Sequence, residues 1–129
     1  MKTKLLTLGL VSIFLFGFIG LQQDIWKAPE AAKKIKNPTK DKVQSSLRGK
    51  KLFRSRCAVC HGRTGLGDGP GGKALVPQPE SLLTPLVQNQ TDGEIFWKIS
   101  NGRNDMIKWE PILSEQQRWD LVNFIRTLK

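Results

Sequence analysis

Residues 55–65, SRCAVCHGRTG, contain both cysteines and the only histidine of this chain of 129 residues. The three side chains, Cys57, Cys60 and His61, lie within five positions of one another. Thiolate sulfur and imidazole nitrogen are common ligands of zinc, iron and copper. Their concentration in one stretch predicts a single metal or cofactor site around which the rest of the chain folds.

Three kinds of site are compatible with a C-x-x-C pair. A structural zinc site needs four Cys or His ligands, and the chain has three such residues. A thioredoxin-like redox pair belongs beside a βαβ unit, of which the sequence has no sign. Attachment of a c-type haem uses both thiols as thioethers and the following histidine as an iron ligand, so it accounts for all three residues. The motif therefore predicts one covalent haem c held by Cys57 and Cys60, with His61 as the proximal iron ligand. An ordinary disulfide or a free dithiol is the alternative.

The second axial position of such an iron needs a side chain from elsewhere in the chain. Beyond the N-terminal region there is one methionine, Met106, and no further histidine. We therefore predict Met106 as the distal iron ligand. A thioether ligand raises the reduction potential, which suits an electron carrier. Simple packing of Met106 in a loop is the alternative, because methionine commonly fills gaps.

The N-terminus carries an export pattern. Lys2 and Lys4 precede the uncharged run at residues 5–21, LLTLGLVSIFLFGFIGL, as in a secretory signal. As a helix this run would be about 26 Å long, slightly under the ~30 Å hydrocarbon core, so it fits a long signal or a short anchor. We predict that residues 1–21 are a signal peptide or membrane anchor. The protein is then periplasmic or otherwise extracytoplasmic, either free or tethered to the cytoplasmic membrane through residues 5–21.

Two regions follow the export segment. Residues 22–44 are lysine-rich with two prolines and no sustained apolar period, which predicts a linker or an arm that wraps the surface. Trp26 is the bulky side chain there that can dock on the domain. Residues 45–129 are predicted to form one haem-binding domain.

The first helix of this domain leads into the cysteine motif. Its predicted N-cap is Ser45 or Ser46. The following residues 62–80, GRTGLGDGPGGKALVPQPE, are too rich in glycine and proline for a helix or an ordinary strand. They are predicted to be a loop, and long loops in so small a domain usually wrap something.

Two further helices begin at capping boxes. Thr91 and Glu94 start the second, which Gly102 can end. Ser114 and Gln117 start the third, which we expect to run to the C-terminus. Its apolar residues recur at i, i+3, i+4 and i+7 and form one face: Leu121, Phe124, Ile125 and Leu128. No strand hairpin is predicted, so the fold class is all-α.

With these helices in place, residues 45–129 resemble the class I c-type cytochromes of the bacterial monohaem type. In that family a glycine and an aromatic residue stand eight and four residues before the first cysteine, as Gly49 and Phe53 do here. The resemblance implies that both pack against an aromatic residue of the last helix, Phe124. It also implies a small cytochrome c fold with three main helices and long loops around one covalently bound haem.

The resemblance extends to the surroundings of the iron. It implies that a proline carbonyl, from Pro77 or Pro79, accepts a hydrogen bond from the proximal imidazole and fixes its tautomer. The family often has proline directly after the distal methionine, whereas Ile107 stands there here, so the Met106 loop is expected to be less stiff. Three other residues are candidates for contact with the haem, with ordinary packing as the alternative: Trp97, Arg103 and Trp109.

The net charge of +10 predicts an anionic partner. Nucleic acid is disfavoured, because the chain has no zinc-finger spacing or RNP-type aromatic cluster. Redox protein partners with acidic docking surfaces are predicted instead. The cations expected to face them surround the cysteine motif: Arg48, Lys50, Lys51, Arg54, Arg56 and Arg63.

These features together predict a one-electron carrier in an exported electron-transfer chain, without substrate catalysis. One alternative is a haem sensor or peroxidase-like enzyme with an open iron site, although no second histidine or acid–base pair supports it. Another is a fixed haem subunit of a respiratory complex, which differs in the lifetime of its partner contacts.

Overall fold

The computed structural model describes residues 25–128, and the fold is given for that part of the chain. It contains five α-helices, preceded by a 3-10 helix at Glu30–Lys34: α1 Lys42–Arg56, α2 Ala58–His61, α3 Pro85–Gln88, α4 Asp92–Asn101 and α5 Glu115–Ile125. Within 25–128 the only pairing of β type is an isolated bridge between Arg103 and Met106. The prediction of an all-α fold with three main helices is confirmed, since α2 and α3 are single turns.

Helix α1 begins earlier than predicted. Asp41 is its N-cap and accepts a hydrogen bond from the backbone N–H of Gln44 at 3.0 Å. Ser45, predicted as a cap, is instead fully buried inside the helix and donates to Asp120 Oδ1 at 2.6 Å. The prediction was wrong because no apolar period marks the first turn, so the capping carboxylate alone sets the start. The last residues of the predicted arm 22–44 therefore belong to α1.

Helices α1 and α5 cross at close range. A Cβ on Gly49 would lie 1.9 Å from the carbonyl oxygen of Asp120 and 2.9 Å from Phe124 Cβ, so only glycine allows this approach. One turn later, the rings of Phe53 and Phe124 pack with their centroids 5.1 Å apart. The packing that the family resemblance implied is present.

Helix α5 is the centre of the core. Every residue from Trp119 to Ile125 is buried, so this part of the helix is enclosed on all sides rather than on the single predicted face. It ends at Ile125 and not at the C-terminus. The next backbone hydrogen bonds run from Thr127 N–H to Phe124 O and from Leu128 N–H to Ile125 O. These tighter turns satisfy carbonyls that the helix leaves free and close it earlier than predicted.

Helix α4 is bounded as predicted. Thr91 and Glu94 form the reciprocal capping box, and Gly102 ends the helix with φ at 64°. Ser114 and Gln117 form the corresponding box of α5. Both boxes are local patterns, which is why the sequence alone could place them.

The described part of the arm, residues 25–41, lies along α4. Ala32 is buried, and its carbonyl oxygen lies 2.1 Å from where a Cβ on Gly93 would be. Asn37 Nδ2 donates to Asp92 Oδ2 at 2.9 Å and to Asn123 Oδ1 at 2.8 Å. This segment wraps the surface of the domain.

The predicted signal peptide or anchor at residues 1–21 lies outside the described residues. Between residues 25 and 128, none of the helices is long and apolar enough to cross a membrane.

Candidate haem site

The end of α1 and the turn α2 place the cysteine motif. Cys57 closes α1 with its N–H bonded to the carbonyl of Phe53 at 2.8 Å. The next turn is bonded from His61 N–H to Cys57 O at 2.9 Å. Gly62 then ends the turn with φ at 76°, a conformation that favours glycine. The motif thus sits on one hydrogen-bonded turn at the end of α1.

The glycine-rich loop wraps the backbone of the motif. The N–H groups of Gly67, Gly69 and Gly71 donate to the carbonyls of His61, Cys60 and Val59 at 2.8, 3.1 and 2.8 Å. A Cβ on Gly69 would lie 2.5 Å from the carbonyl oxygen of Val59, so a side chain there would separate the loop from the motif. The prediction of a loop over 62–80 is confirmed, and its glycines allow it to approach the cysteine turn.

A small apolar cavity lies beside this turn. Its wall comes from α1, α2, α4, α5 and the segments between them: Phe53, Cys57, His61, Leu82, Ile99, Trp109, Leu121 and Ile125. The cavity is partly open to solvent and has a volume of about 40 Å³, more than the ~10–15 Å³ that one water needs. The cavity is too small to hold a whole porphyrin. Its lining is instead an apolar wall against which a flat ligand can pack.

His61 is the polar side chain with a free nitrogen in this wall. Burial lowers the pKa of its imidazole, so the ring is neutral at pH 7, the form that binds metals. Its Nδ1 is buried and has no hydrogen-bond partner. The expectation that Pro77 or Pro79 accepts from it is not met in this structure. The carbonyl oxygen of Pro79 instead lies over Gly67, 2.2 Å from where a Cβ on that residue would be.

The two thiols are not joined in a disulfide. Burial, with a smaller contribution from Cys60, raises the pKa of the Cys57 thiol to about 12. Reactive redox cysteines have lowered pKa values, and the shift at Cys57 is in the opposite direction, which disfavours a catalytic dithiol. A thiol, a neutral imidazole and an apolar wall together fit a covalently attached haem.

Met106 lies in the loop between α4 and α5. Its N–H donates to the carbonyl of Arg103 at 2.9 Å, and its carbonyl accepts from Arg103 N–H at 3.2 Å. The side chain is partly buried and packs against the apolar cluster of the core. The structure brings Cys57 and His61 into one cavity wall, whereas Cys60 and Met106 are not among the residues that line it.

Residues 46–129 match the family model of cytochrome c, which covers well over half of the chain. The chain belongs to the cytochrome c family. Members bind covalent haem c with iron, and the C-x-x-C-H motif at Cys57, Cys60 and His61 fits that cofactor. The predicted cofactor and the predicted family are both confirmed.

Two solved structures share the fold. One is the reducing HAO-like protein complex Kustc0457/Kustc0458 of Kuenenia stuttgartiensis, at 25% identity and a TM-score of 0.60, covering 70% of this chain and 45% of that one. The other is cytochrome CL of the marine methylotrophic bacterium Methylophaga aminisulfidivorans MPT, at 22% identity and a TM-score of 0.52, covering 69% of this chain and 55% of that one. This cytochrome spans about half the length of each. No curated protein matches its sequence.

Of the two tryptophans of this cytochrome that were candidates for contact with the haem, one lies at the cavity and the other does not. Trp109 is buried and lines the cavity beside His61. Trp97 packs instead against Trp26, with ring centroids 6.4 Å apart. Sequence reasoning missed Leu82 as a wall residue, because it lies in an irregular segment where no period marks a buried position.

One residue of the predicted cationic cluster, Arg48, is engaged in an ion pair. Arg48 donates from Nε and from a terminal nitrogen to the two carboxylate oxygens of Asp120, at 2.9 and 2.8 Å, so its charge is neutralised. The other members are exposed, and within residues 25–128 no ion pair engages them: Lys50, Lys51, Arg54, Arg56 and Arg63.

Proposed function

We propose that this cytochrome c is a one-electron carrier rather than an enzyme. The observation that carries the proposal is the composition of the cavity wall, which is apolar apart from Cys57 and His61. Such a wall excludes water and offers no second acid or base for proton transfer to a substrate. The cofactor supplies the one-electron change between ferric and ferrous iron, while the chain holds it and limits solvent access.

The proposed covalent attachment residues are Cys57 and Cys60, and the proposed axial ligands are His61 and Met106. For His61 the support is a neutral imidazole whose Nδ1 is buried without a hydrogen-bond partner. For Met106 it is the paired backbone with Arg103 and the partly buried side chain. The assignment of His61 follows the C-x-x-C-H motif, whereas that of Met106 rests on its being the one methionine after the N-terminal region.

The proposed location is outside the cytoplasm. Cytochrome c domains are typically extracytoplasmic. The basic start and apolar run at residues 5–21 support export, with the run either removed or kept as a membrane tether.

Cytochromes c act with redox partners, and we propose that the partner of this one presents an acidic surface. The support is the exposed cationic set that remains after Arg48 is paired, three members of which lie on the outer face of α1: Lys50, Lys51 and Arg54. Opposite charge speeds diffusional encounter, and a transient carrier needs fast, weak association.

A permanently bound subunit is the second candidate function. The structure from Kuenenia stuttgartiensis is a protein complex that contains a fold of this type. Size-exclusion chromatography of native extracts separates the two: a free carrier elutes near its own mass, and a fixed subunit elutes with stoichiometric partners.

The carrier function is tested by potentiometric titration of holoprotein expressed with haem-maturation factors. We expect a reversible one-electron transition and a haem that stays on the chain after denaturation, because thioethers survive unfolding. A chain mass without haem, or turnover of peroxide at enzymatic rates, would overturn the proposal.

A further inference from the structure

The arm, residues 25–41, lies outside the segment 46–129 that matches the family, yet it packs on that segment. We propose that the arm is a clamp on the last turns of α4 that holds the Met106 loop in place, with Trp26 as the positioning residue. The inference rests on the proposed role of Met106 as an iron ligand.

Trp26 packs on the C-terminal half of α4. Its ring lies against Trp97 at a centroid distance of 6.4 Å, and Lys98 Nζ stands 5.2 Å from the ring centroid of Trp26. Tilted aromatic pairs and cation–π contacts both stabilise such packing. Burial lowers the pKa of the Lys98 ammonium, consistent with its cover by the arm.

Two backbone contacts connect the part of α4 that Trp26 covers with the Met106 loop. The carbonyl of Lys98 accepts the N–H of Gly102 at 2.9 Å, which closes the helix. A Cβ on Gly102 would lie 2.4 Å from the carbonyl oxygen of Met106, so the two backbones are in direct contact. A shift of the last turn of α4 therefore shifts Met106.

The tip of the loop is exposed, although Met106 packs against the core and the N–H of Trp109 donates to the carbonyl of Ile99 at 3.2 Å. Ile107 is 53% exposed at the position where the family often has proline, and Asn104, Asp105 and Lys108 are exposed as well. Exposed segments with few packed side chains open locally at low cost. The position of Met106 thus depends on the base of the loop, which is the end of α4 that Trp26 covers.

The other end of the arm provides a control. Asn37 bonds Asp92 at the start of α4 and Asn123 in α5. Asp92 lies about 9 Å along the helix axis from Lys98. Loss of the Asn37 contacts weakens the docking of the arm without touching the turn that leads to Met106.

The test measures imidazole binding to the ferric holoprotein, since imidazole replaces a labile thioether. Trp26→Ala should raise the binding rate about tenfold, and Trp26→Phe, which keeps a ring, should restore most of the difference. Asn37→Ala should lower the denaturation midpoint but leave the imidazole rate near that of the parent. Equal acceleration in Trp26→Ala and Asn37→Ala would overturn the clamp, because general destabilisation would then explain it.

Amide hydrogen exchange at Gly102 and Met106 gives an independent readout. We expect Trp26→Ala to accelerate exchange at both amides severalfold, and an unchanged rate would overturn the proposal. If Met106 is not the iron ligand, imidazole binds the parent and Trp26→Ala equally fast while exchange still accelerates. That result would reject the ligand assignment and retain the clamp.

Discussion

The carboxylate of Asp120 shows how a single buried residue ties the helices together. It accepts hydrogen bonds from Ser45 and Arg48 of α1 and from Gln116 of its own helix, and its side chain is only 4% exposed. Burial alone would raise the pKa of this carboxyl, but these donors outweigh burial and hold the pKa below its usual range. A lowered pKa means that the ionised form stabilises the folded state, and the stabilisation is lost as the pH falls from about 4 through the folded value.

Asp120→Asn should therefore lower the free energy of unfolding by about 2 kcal/mol at pH 7, the scale of charged hydrogen bonds whose partner Arg48 can return to water. The loss should shrink at pH 3, because the unfolded parent is then largely protonated at this carboxyl and the ionised folded form is favoured less. Urea unfolding of the holoprotein at both pH values measures it. Glu80→Gln, at an exposed carboxylate without an ion pair in the described chain, is the control and should change little. An equal loss at both pH values would contradict this account.

Among the elements, α1 is defined by how closely it meets α5. The missing side chain at Gly49 lets the two helices touch at the backbone of Asp120, one turn before Phe53 reaches Phe124. This contact fixes the direction in which α1 delivers the cysteine turn.

Gly49→Ala should destabilise the protein by about 2 kcal/mol even though alanine is the better helix former by about 1 kcal/mol, because the new methyl overpacks the crossing. Lys51→Ala, on the exposed face of the same helix, should stay within about 0.5 kcal/mol of the parent. Thermal unfolding of both holoproteins measures the difference. A Gly49→Ala protein as stable as the parent would show that the crossing can relax.

The elements that the sequence predicts are those with local signals. The capping boxes at Thr91 and Ser114 depend on residues three apart, so α4 and α5 could be placed, and the cysteine motif carries its own spacing. The start of α1 at Lys42 was missed because only the capping carboxylate of Asp41 marks it. The enclosure of the second half of α5 could not be predicted, because it depends on contacts between distant segments. The same holds for the packing of Trp26 on Trp97 and for Leu82 in the cavity wall, which no periodic pattern marks.

For the whole molecule, charge distribution sets how partners approach. The exposed cations of α1 lie beside the haem-attachment turn, whereas Lys34 and Lys36 lie on the arm. Attraction between exposed charges falls off over about 8 Å at physiological ionic strength. An acidic partner should therefore be attracted most strongly by the cations nearest its docking site.

Reversal of Lys50 and Lys51 to glutamate should slow electron exchange with a one-electron donor protein of net negative charge about tenfold at low salt. Reversal of Lys34 and Lys36 changes the net charge equally and should slow it much less. Stopped-flow rates across a salt series measure both, and the difference should vanish at high salt. Equal slowing in the two variants would assign the effect to net charge instead of a docking face.

The central proposal is a closed iron site, with His61 and Met106 as axial ligands, that carries electrons and binds no substrate. The absorption spectrum of the oxidised holoprotein, compared with that of Met106→Ala, tests it most directly. We predict a sulfur-to-iron charge-transfer band in the parent and its loss in the variant, with haem still attached in both and a lower potential in the variant. A variant that keeps the parent's spectrum and potential would contradict the claim and would favour a lysine ligand or an open site.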